Sequence, residues 1–400
     1  MARTRTRRLR WAAGLTAVTT AAVLSAITLP AHAAPEGRIA GAGEPGSVSG
    51  SYLVALKGGT KAPSAAGKDL AAKYGVRISH TYGTVLNGYA IRADERQARR
   101  LAADSRVASV VQDTRVSLER TQKSPPSWGL DRIDRPNPSL DRSYTSPESA
   151  GAGVTVYVID TGIRITHRDF GGRASYGWDF VGGDRTAADG NGHGTHIAGT
   201  VAGTSYGVAK KARVVAVRVL DNAGAGTTAQ VIAGIDWVTR NARKPAVANL
   251  SLGGTHNAQL DAAVRASIAS GVTYTVAAGN DGLAAALYSP ADVTEAVTVG
   301  ASDRRDARAS FSNYGSALDL FAPGVSITSA SRTSDTARAT YSGTSMAAPH
   351  AAGAAALYLA DHPKATPAQV ARALVTQAAI GRVSGRGPGS PDRILQVPAT

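Results

Sequence analysis

Ser345 lies in the octamer Gly343-Thr344-Ser345-Met346-Ala347-Ala348-Pro349-His350, which opens an alanine-rich apolar run that reaches Asp361 and stops at Pro363. The pattern predicts a buried helix with the serine in its first turn. A hydroxyl there feels the positive end of the helix dipole beside free backbone N–H groups, which suits a nucleophile whose attack creates an oxyanion. Taken alone, the octamer fits an ordinary helix cap equally well. Asp160 ends the stretch Val154-Thr155-Val156-Tyr157-Val158-Ile159 and precedes Thr161-Gly162. Carboxyl ends of strands in open α/β sheets are where ligands sit, although a helix cap is again the plainer reading of one carboxylate. His193 and His196 fall in Asp189-Gly190-Asn191-Gly192-His193-Gly194-Thr195-His196-Ile197-Ala198-Gly199, whose glycines allow a backbone or substrate to come close. Two histidines three apart could bind a metal, but no HExxH-type glutamate or other ligand cluster accompanies them. Asn280 follows Val276-Ala277-Ala278-Gly279 and adds a side-chain amide just past another predicted strand.

The elements that must position these groups alternate. Strands are predicted at 154–159, 214–220, 246–251, 273–277 and 296–300, and helices at 193–202, 228–243, 258–270, 345–361 and 367–377. Thr366 as cap with Pro367 at the first helical position marks the last start. This order predicts an α/β fold, a mainly parallel sheet with helices on both faces. Gly151-Ala152-Gly153 precedes its strand and so is no dinucleotide fingerprint.

Ahead of that unit the chain changes character. Arg3, Arg5, Arg7, Arg8 and Arg10 lead into an apolar run, Trp11 to Leu29, and Ala31-His32-Ala33 supplies small residues for cleavage. Residues 1–33 therefore read as a secretory signal peptide, which predicts a secreted, extracellular product. Residues 34–50 are rich in Gly, Pro, Ser and Ala and read as a linker. From Ser51 to Val111 the pattern is βαββαβ, a small ferredoxin-like α+β domain within 34–120. A proline-rich passage with Pro125, Pro126, Pro136 and Pro138 opens the third segment, 121–400.

Composition narrows the function. The chain has 400 residues and no cysteine, so neither disulfides nor cysteine-ligated metals are available. Of its 44 Lys/Arg and 29 Asp/Glu, residues 1–121 hold 18 and 8, leaving a near balance of 26 against 21 beyond. No basic run or aromatic ladder points to nucleic acid, and no stable membrane association is expected.

The chain order Asp160, His193, Ser345, with an amide at Asn280, is the Asp-His-Ser order of one hydrolase class. Three segments, 158–163, 192–200 and 343–350, resemble the subtilisin-like serine proteases, nearest the proteinase K type. The small domain resembles the inhibitory propeptide of that family through Tyr52–Leu56, Val85-Leu86-Asn87-Gly88-Tyr89 and Val107–Val111. The resemblance implies a self-processing zymogen. Ser345 would be its nucleophile, His193 its base, Asp160 the group that orients the base, and Asn280 an oxyanion donor. It also implies protein or peptide substrates lying as an added strand between Gly224-Ala225-Gly226 and Ser251-Leu252-Gly253. Ala277-Ala278-Gly279 would wall the pocket for the residue before the cut, favouring apolar or aromatic residues there. Asp281 would stand near the rim, or be a solvated loop acid. His196 and His350 are expected to be structural. A structural calcium is implied at the Thr294 and Ala296 carbonyls and the Asp319 carboxylate, oxygen donors suited to that ion. The propeptide is expected to act as intramolecular inhibitor and the enzyme to be a monomer.

A catalytically inactive relative serving as a binding or structural module would lack one of the four polar residues, and all four are present. A lipase or esterase would show G-x-S-x-G, whereas Ser345 sits in Gly-Thr-Ser-Met-Ala.

Overall fold

Alternate residues of the strand Thr155–Asp160 face two different apolar layers: Val156 and Val158 join one, Tyr157 and Ile159 the other. A strand buried on both faces belongs inside a covered parallel sheet. The computed structural model describes residues 36–43, 47–117, 127–137, 140 and 142–397. Its N-terminal part runs β1 (Ile39–Ala40), β2 (Ser47–Leu56), α1 (Ala65–Lys73), β3 (Arg77–Tyr82), β4 (Gly88–Arg92), α2 (Glu95–Ala102) and β5 (Val107–Ser117). Next come α3 (Gly129–Ile133), β6 (Thr155–Asp160), β7 (Ala174–Asp179), α4 (His193–Ala202), β8 (Arg213–Arg218), β9 (Ala225–Thr227), α5 (Thr228–Asn241) and β10 (Ala246–Leu250). The chain continues through β11 (Gly254–Thr255), α6 (Ala258–Ala269), β12 (Thr273–Ala277), β13 (Tyr288–Ser289), β14 (Val297–Ser302) and β15 (Leu320–Pro323). It closes with β16 (Ile327–Ala330), β17 (Arg338–Tyr341), α7 (Thr344–Asp361), α8 (Pro367–Gln377), β18 (Ala379–Ile380) and β19 (Arg393–Ile394).

The large sheet has the order β18-β19-β15-β14-β12-β10-β6-β8-β7, and every pair from β15 to β7 is parallel. Strands are added to one side of β6 first and to the other afterwards. The order therefore reverses at β6, and a crevice opens at its carboxyl end. Helices α4 and α7 cover one face and α5 and α6 the other. Helix α7 runs through the middle of its layer and is apolar all round, as a fully enclosed helix must be. Its alanines keep it thin enough to lie against both α4 and the sheet.

The N-terminal sheet has the order β1-β5-β2-β4-β3. From β2 to β5 its path matches the expected ferredoxin-like pattern. The linker expectation for 34–50 is corrected in part. Ile39-Ala40 pairs in parallel with Val110-Val111, and β2 already begins at Ser47. Strand β5 extends to Ser117, past the predicted stop at Val111, because its end pairs antiparallel with β9: Arg115 with Thr227, Val116 with Gly226, Ser117 with Ala225. Leu53, Tyr82, Val85 and Ala90 of the small domain share one apolar layer with Ile232 and Ile235 of α5. The signal-peptide region lies outside the described residues.

Candidate active site

The turn after β6 brings the first two polar groups together. Asp160 is fully buried, and its Oδ1 and Oδ2 lie 2.8 and 3.0 Å from His193 Nδ1. Asp160 Oδ1 also accepts the Thr161 N–H at 2.7 Å, which fixes the carboxylate. His193 is the first residue of α4, and its Nε2 is buried with no hydrogen-bond partner. With Nδ1 turned to a carboxylate, the ring presents Nε2 as its free position. Glycine at 194 serves the chain itself, since a Cβ there would fall on the Gly162 carbonyl at the corner after Asp160.

Ser345 stands in the first turn of α7, fully buried. Its hydroxyl donates to the Ser251 carbonyl at 3.1 Å, and Ser251 Oγ donates to the Ser345 carbonyl at 2.8 Å. Asn280 follows β12. Its Oδ1 accepts the Thr344 N–H and the Thr344 hydroxyl, both at 2.9 Å, while Nδ2 is buried without a partner. Two donors on the oxygen settle which end of this amide is the free donor.

Sequence reasoning passed over two supporting residues. Asp189 accepts N–H groups from Asn191, Gly192 and Thr195 and hydroxyls from Thr161 and Thr195, at 2.6–2.9 Å. It thereby ties the start of α4 to the corner after β6. The signal was an acid four residues before the helix, in an Asp-Gly-Asn-Gly turn. Thr344 is the second; its hydroxyl also accepts the Gly279 N–H at 3.2 Å.

The residues named as substrate strands fall on short strands and on the turns that follow strands. Ala225 and Gly226 lie in β9, after Gly224 with its left-handed φ of 78°. A Cβ at Gly226 would meet the Val219 carbonyl, so this glycine is needed by the chain's own backbone. Ser251, Leu252 and Gly253 run from β10 towards β11, with Leu252 in the apolar layer of α5 and α6. Ala277 and Ala278 are buried, and the Ala278 carbonyl accepts Asn313 Nδ2 at 3.0 Å. Gly279 follows with φ of 105°. Asp281 is exposed, its N–H given to Asn313 Oδ1.

His196 and His350 are fully buried in the core. Each bonds one backbone carbonyl, Ile327 O at 2.9 Å and Met346 O at 2.8 Å, and burial pulls their pKa values down to about 3 and about 4. At the expected calcium position, Asp319 Oδ2 accepts the Thr298 N–H at 2.8 Å. Burial pushes this carboxyl up to about 6. Thr294 and Ala296 precede Thr298 on the same stretch of chain. Two carbonyls and a desolvated carboxylate are an oxygen-only set that fits a hard cation.

Residues 151–394 match the subtilase family model, and residues 51–119 match that of peptidase inhibitor I9. The chain is 52% identical to an extracellular serine proteinase of Thermus sp. (strain Rt41A) over 81% of its own length and 78% of the relative's. It is 42% identical to a cuticle-degrading serine protease of Arthrobotrys oligospora over 93% and 96% of the two chains. The crystal structure of a cold-adapted subtilisin-like serine proteinase is 50% identical, with a TM-score of 0.67, covering 69% of this chain and all of the other. With a family model across most of the chain and such relatives along nearly all of it, this protein belongs to the subtilase family of serine proteases and carries an I9-type propeptide ahead of its peptidase domain.

Proposed function

We propose that the chain is a secreted serine endopeptidase, made as a zymogen that processes itself, with Ser345, His193 and Asp160 as its triad. The observation that carries this reading is the imidazole held by Asp160 through Nδ1 with Nε2 left open, at the start of a helix that packs against the buried helix headed by Ser345. Ser345 attacks the scissile carbonyl after its hydroxyl turns from Ser251 O to His193 Nε2, which takes the proton and later gives it to the leaving amine. Asp160 holds the tautomer and stabilises the imidazolium. Asn280 Nδ2 and the Ser345 N–H hold the oxyanion. These roles follow the subtilisin scheme that is itself a standard worked case.

The substrate strand would take the place that the end of β5 holds on β9, between that strand and Ser251–Gly253. Small apolar walls at Ala277-Ala278-Gly279 favour apolar or aromatic residues before the cut, with broad tolerance. Calcium is proposed at Thr294, Ala296 and Asp319, where it would tie the loop after β13 to the start of β15. Secretion rests on the leader-like first 33 residues and on a relative named as extracellular.

Ser345→Ala tests the reading. The variant should accumulate as uncleaved precursor, and a serine-directed fluorophosphonate should label the parent at Ser345 alone. Cleavage is expected near Arg120–Gln122, outside the described residues. Maturation of Ser345→Ala in a protease-free host would refute self-processing.

A further inference from the structure

Outside the crevice, one cluster of ligating side chains among the described residues is left unsatisfied. His256 follows β11, Asp292 lies shortly after β13, and Asp261 is in the first turn of α6. The β11–β13 ladder pairs Gly254 with Ser289 and Thr255 with Tyr288. Beyond it, the His256 N–H donates to Leu287 O at 3.2 Å and the Asp292 N–H to Tyr288 O at 3.0 Å. The backbone therefore sets the positions of the His256 and Asp292 side chains before any ligand arrives. Asp261 is 1% exposed, and its carboxylate oxygens have no hydrogen bond of good geometry, the rotatable Ser289 hydroxyl and the His256 imidazole being the donors nearest to it. The neighbouring Ser289 hydroxyl is turned to Asn257 O instead. Asp292 Oδ1 is likewise buried and unpaired. Among the described residues no Lys or Arg reaches either carboxylate; the single imidazole of His256 serves both, at 2.9 Å from Asp292 Oδ2 and 3.5 Å from Asp261 Oδ2.

Burying a carboxylate without donors is costly, and two facing ones more so. Burial and the facing Asp292 carboxylate push the Asp261 carboxyl above the ordinary carboxylate range. A cation between them removes that cost. One atom from each of the three residues lies within 4.8 Å of the other two. The edge of a tetrahedral zinc site is about 3.4 Å, given metal–ligand distances near 2.0–2.1 Å, so two of the three spacings already lie close to it. A nitrogen among the donors argues against calcium or magnesium and for a zinc-like ion.

We propose that His256, Asp261 and Asp292 form a binding site for zinc or a similar divalent transition metal, pinning the antiparallel β11–β13 ladder, whose first strand continues from Ser251–Gly253. His256 is exposed, which leaves an entry path and a fourth position for water.

The test uses the Ser345→Ala precursor in millimolar calcium, so that hard-cation sites are filled and autolysis is absent. Equilibrium dialysis against micromolar zinc should leave one zinc per chain and raise the melting temperature, and cobalt should give the intense visible bands of a tetrahedral centre. His256→Ala, at an exposed position, should fold as the parent does and bind at least about 10-fold more weakly, a loss at the lower end of what even outer-shell changes produce. Asp261→Asn should lose zinc in the same way while melting no lower than the parent in metal-free buffer. A parent that takes up no zinc, or uptake unchanged by His256→Ala, overturns the proposal.

Discussion

At the scale of single residues, Asn280 is the sharpest case. Its oxygen accepts from Thr344 and its nitrogen is free, so replacement removes one donor from the transition state. It also takes the acceptor from the Thr344 N–H and hydroxyl, a stability cost of about 1–3 kcal/mol that a melting curve reads separately from kcat. Asn280→Ala should therefore lower kcat by roughly 10²–10³, as loss of one oxyanion donor does, with KM little changed. A kcat within a few-fold of the parent, measured on a chromogenic peptide, would remove Asn280 from the site. The buried histidines carry a pH prediction. His196 and His350 are lowered from 6.5 to about 3 and about 4. The unfolded chain takes up these protons below pH 6.5 while the folded chain refuses them. Their contribution to stability is thus complete above pH 6.5 and is lost as pH falls towards 4. Each adds up to about 1.4 kcal/mol per pH unit in that window. Denaturant unfolding of the Ser345→Ala precursor should show this slope, and His350→Asn should flatten it by about one histidine's share. An unchanged slope would mean that His350 takes up its proton as readily in the fold as in the unfolded chain.

At the scale of elements, the propeptide grips α5 by its start. Asp113 is fully buried, with Oδ1 accepting the Ala229 N–H of that helix at 3.1 Å and Oδ2 the Ser51 hydroxyl at 2.7 Å. From the other side Asp236 of α5 accepts the Thr84 and Val85 N–H groups at 3.0 and 3.1 Å. Burial pushes the Asp113 carboxyl up, so desolvation offsets part of what the cap contributes. Asp113→Ala leaves the helix N–H unmet, a loss of about 1–3 kcal/mol, and should weaken the processed complex roughly 5- to 150-fold. Activity appearing on dilution measures it; Asp113→Asn should retain latency, and Ser51→Ala separates damage inside the propeptide from damage at the contact. Equal latency in Asp113→Ala would dismiss the cap. The same strand shows where the sequence became illegible. Val107–Val111 reads as a strand because its apolar pattern is local. Gln112, Asp113 and Thr114 read as its end, yet Gln112 donates to the Val48 and Ser51 carbonyls of β2, and Asp113 and Thr114 meet α5 and not water. Strand β7 escaped for a related reason. Ala174–Asp179 is an edge strand with Gly177 at a close approach to Trp237, and it lacks the unbroken apolar run of β6. Helices with local start signals were legible: Thr366 and Gln369 form the capping box that Thr366-Pro367 announced. Asp160, His193, Ser345 and Asn280 each stand at an element's end, where a polar residue interrupts a periodic pattern, and it was their chain order taken together that singled them out.

For the whole molecule, the question is what fastens a 400-residue chain that has no cysteine. Its sheet is parallel, so neighbouring strands are joined by long crossovers and the loops at their ends have no covalent tie. The stretch from Thr294 to Asp319 joins two such strands, and Asp319 holds a buried carboxyl pushed up to about 6. The sign follows from that shift. Without a cation, the fold prefers this group protonated, so its contribution is complete below the ordinary carboxylate range and is lost as pH rises through about 6. At neutral pH the bare carboxylate opposes folding, and calcium held at the proposed site would reverse the balance by binding only the folded state. Saturation at about 100 times Kd contributes roughly 2.7 kcal/mol, and about 2–4 °C accompanies each kcal/mol in a domain of this size. Millimolar calcium should therefore raise the melting temperature of the Ser345→Ala precursor by roughly 5–10 °C at neutral pH. Asp319→Asn should lose most of that gain, yet in chelator it should melt no lower than the parent, because it removes an unfavourable charge. A merely structural aspartate would give the opposite result in chelator. Identical melting of the parent in chelator and in calcium would show that the carboxylate holds no cation.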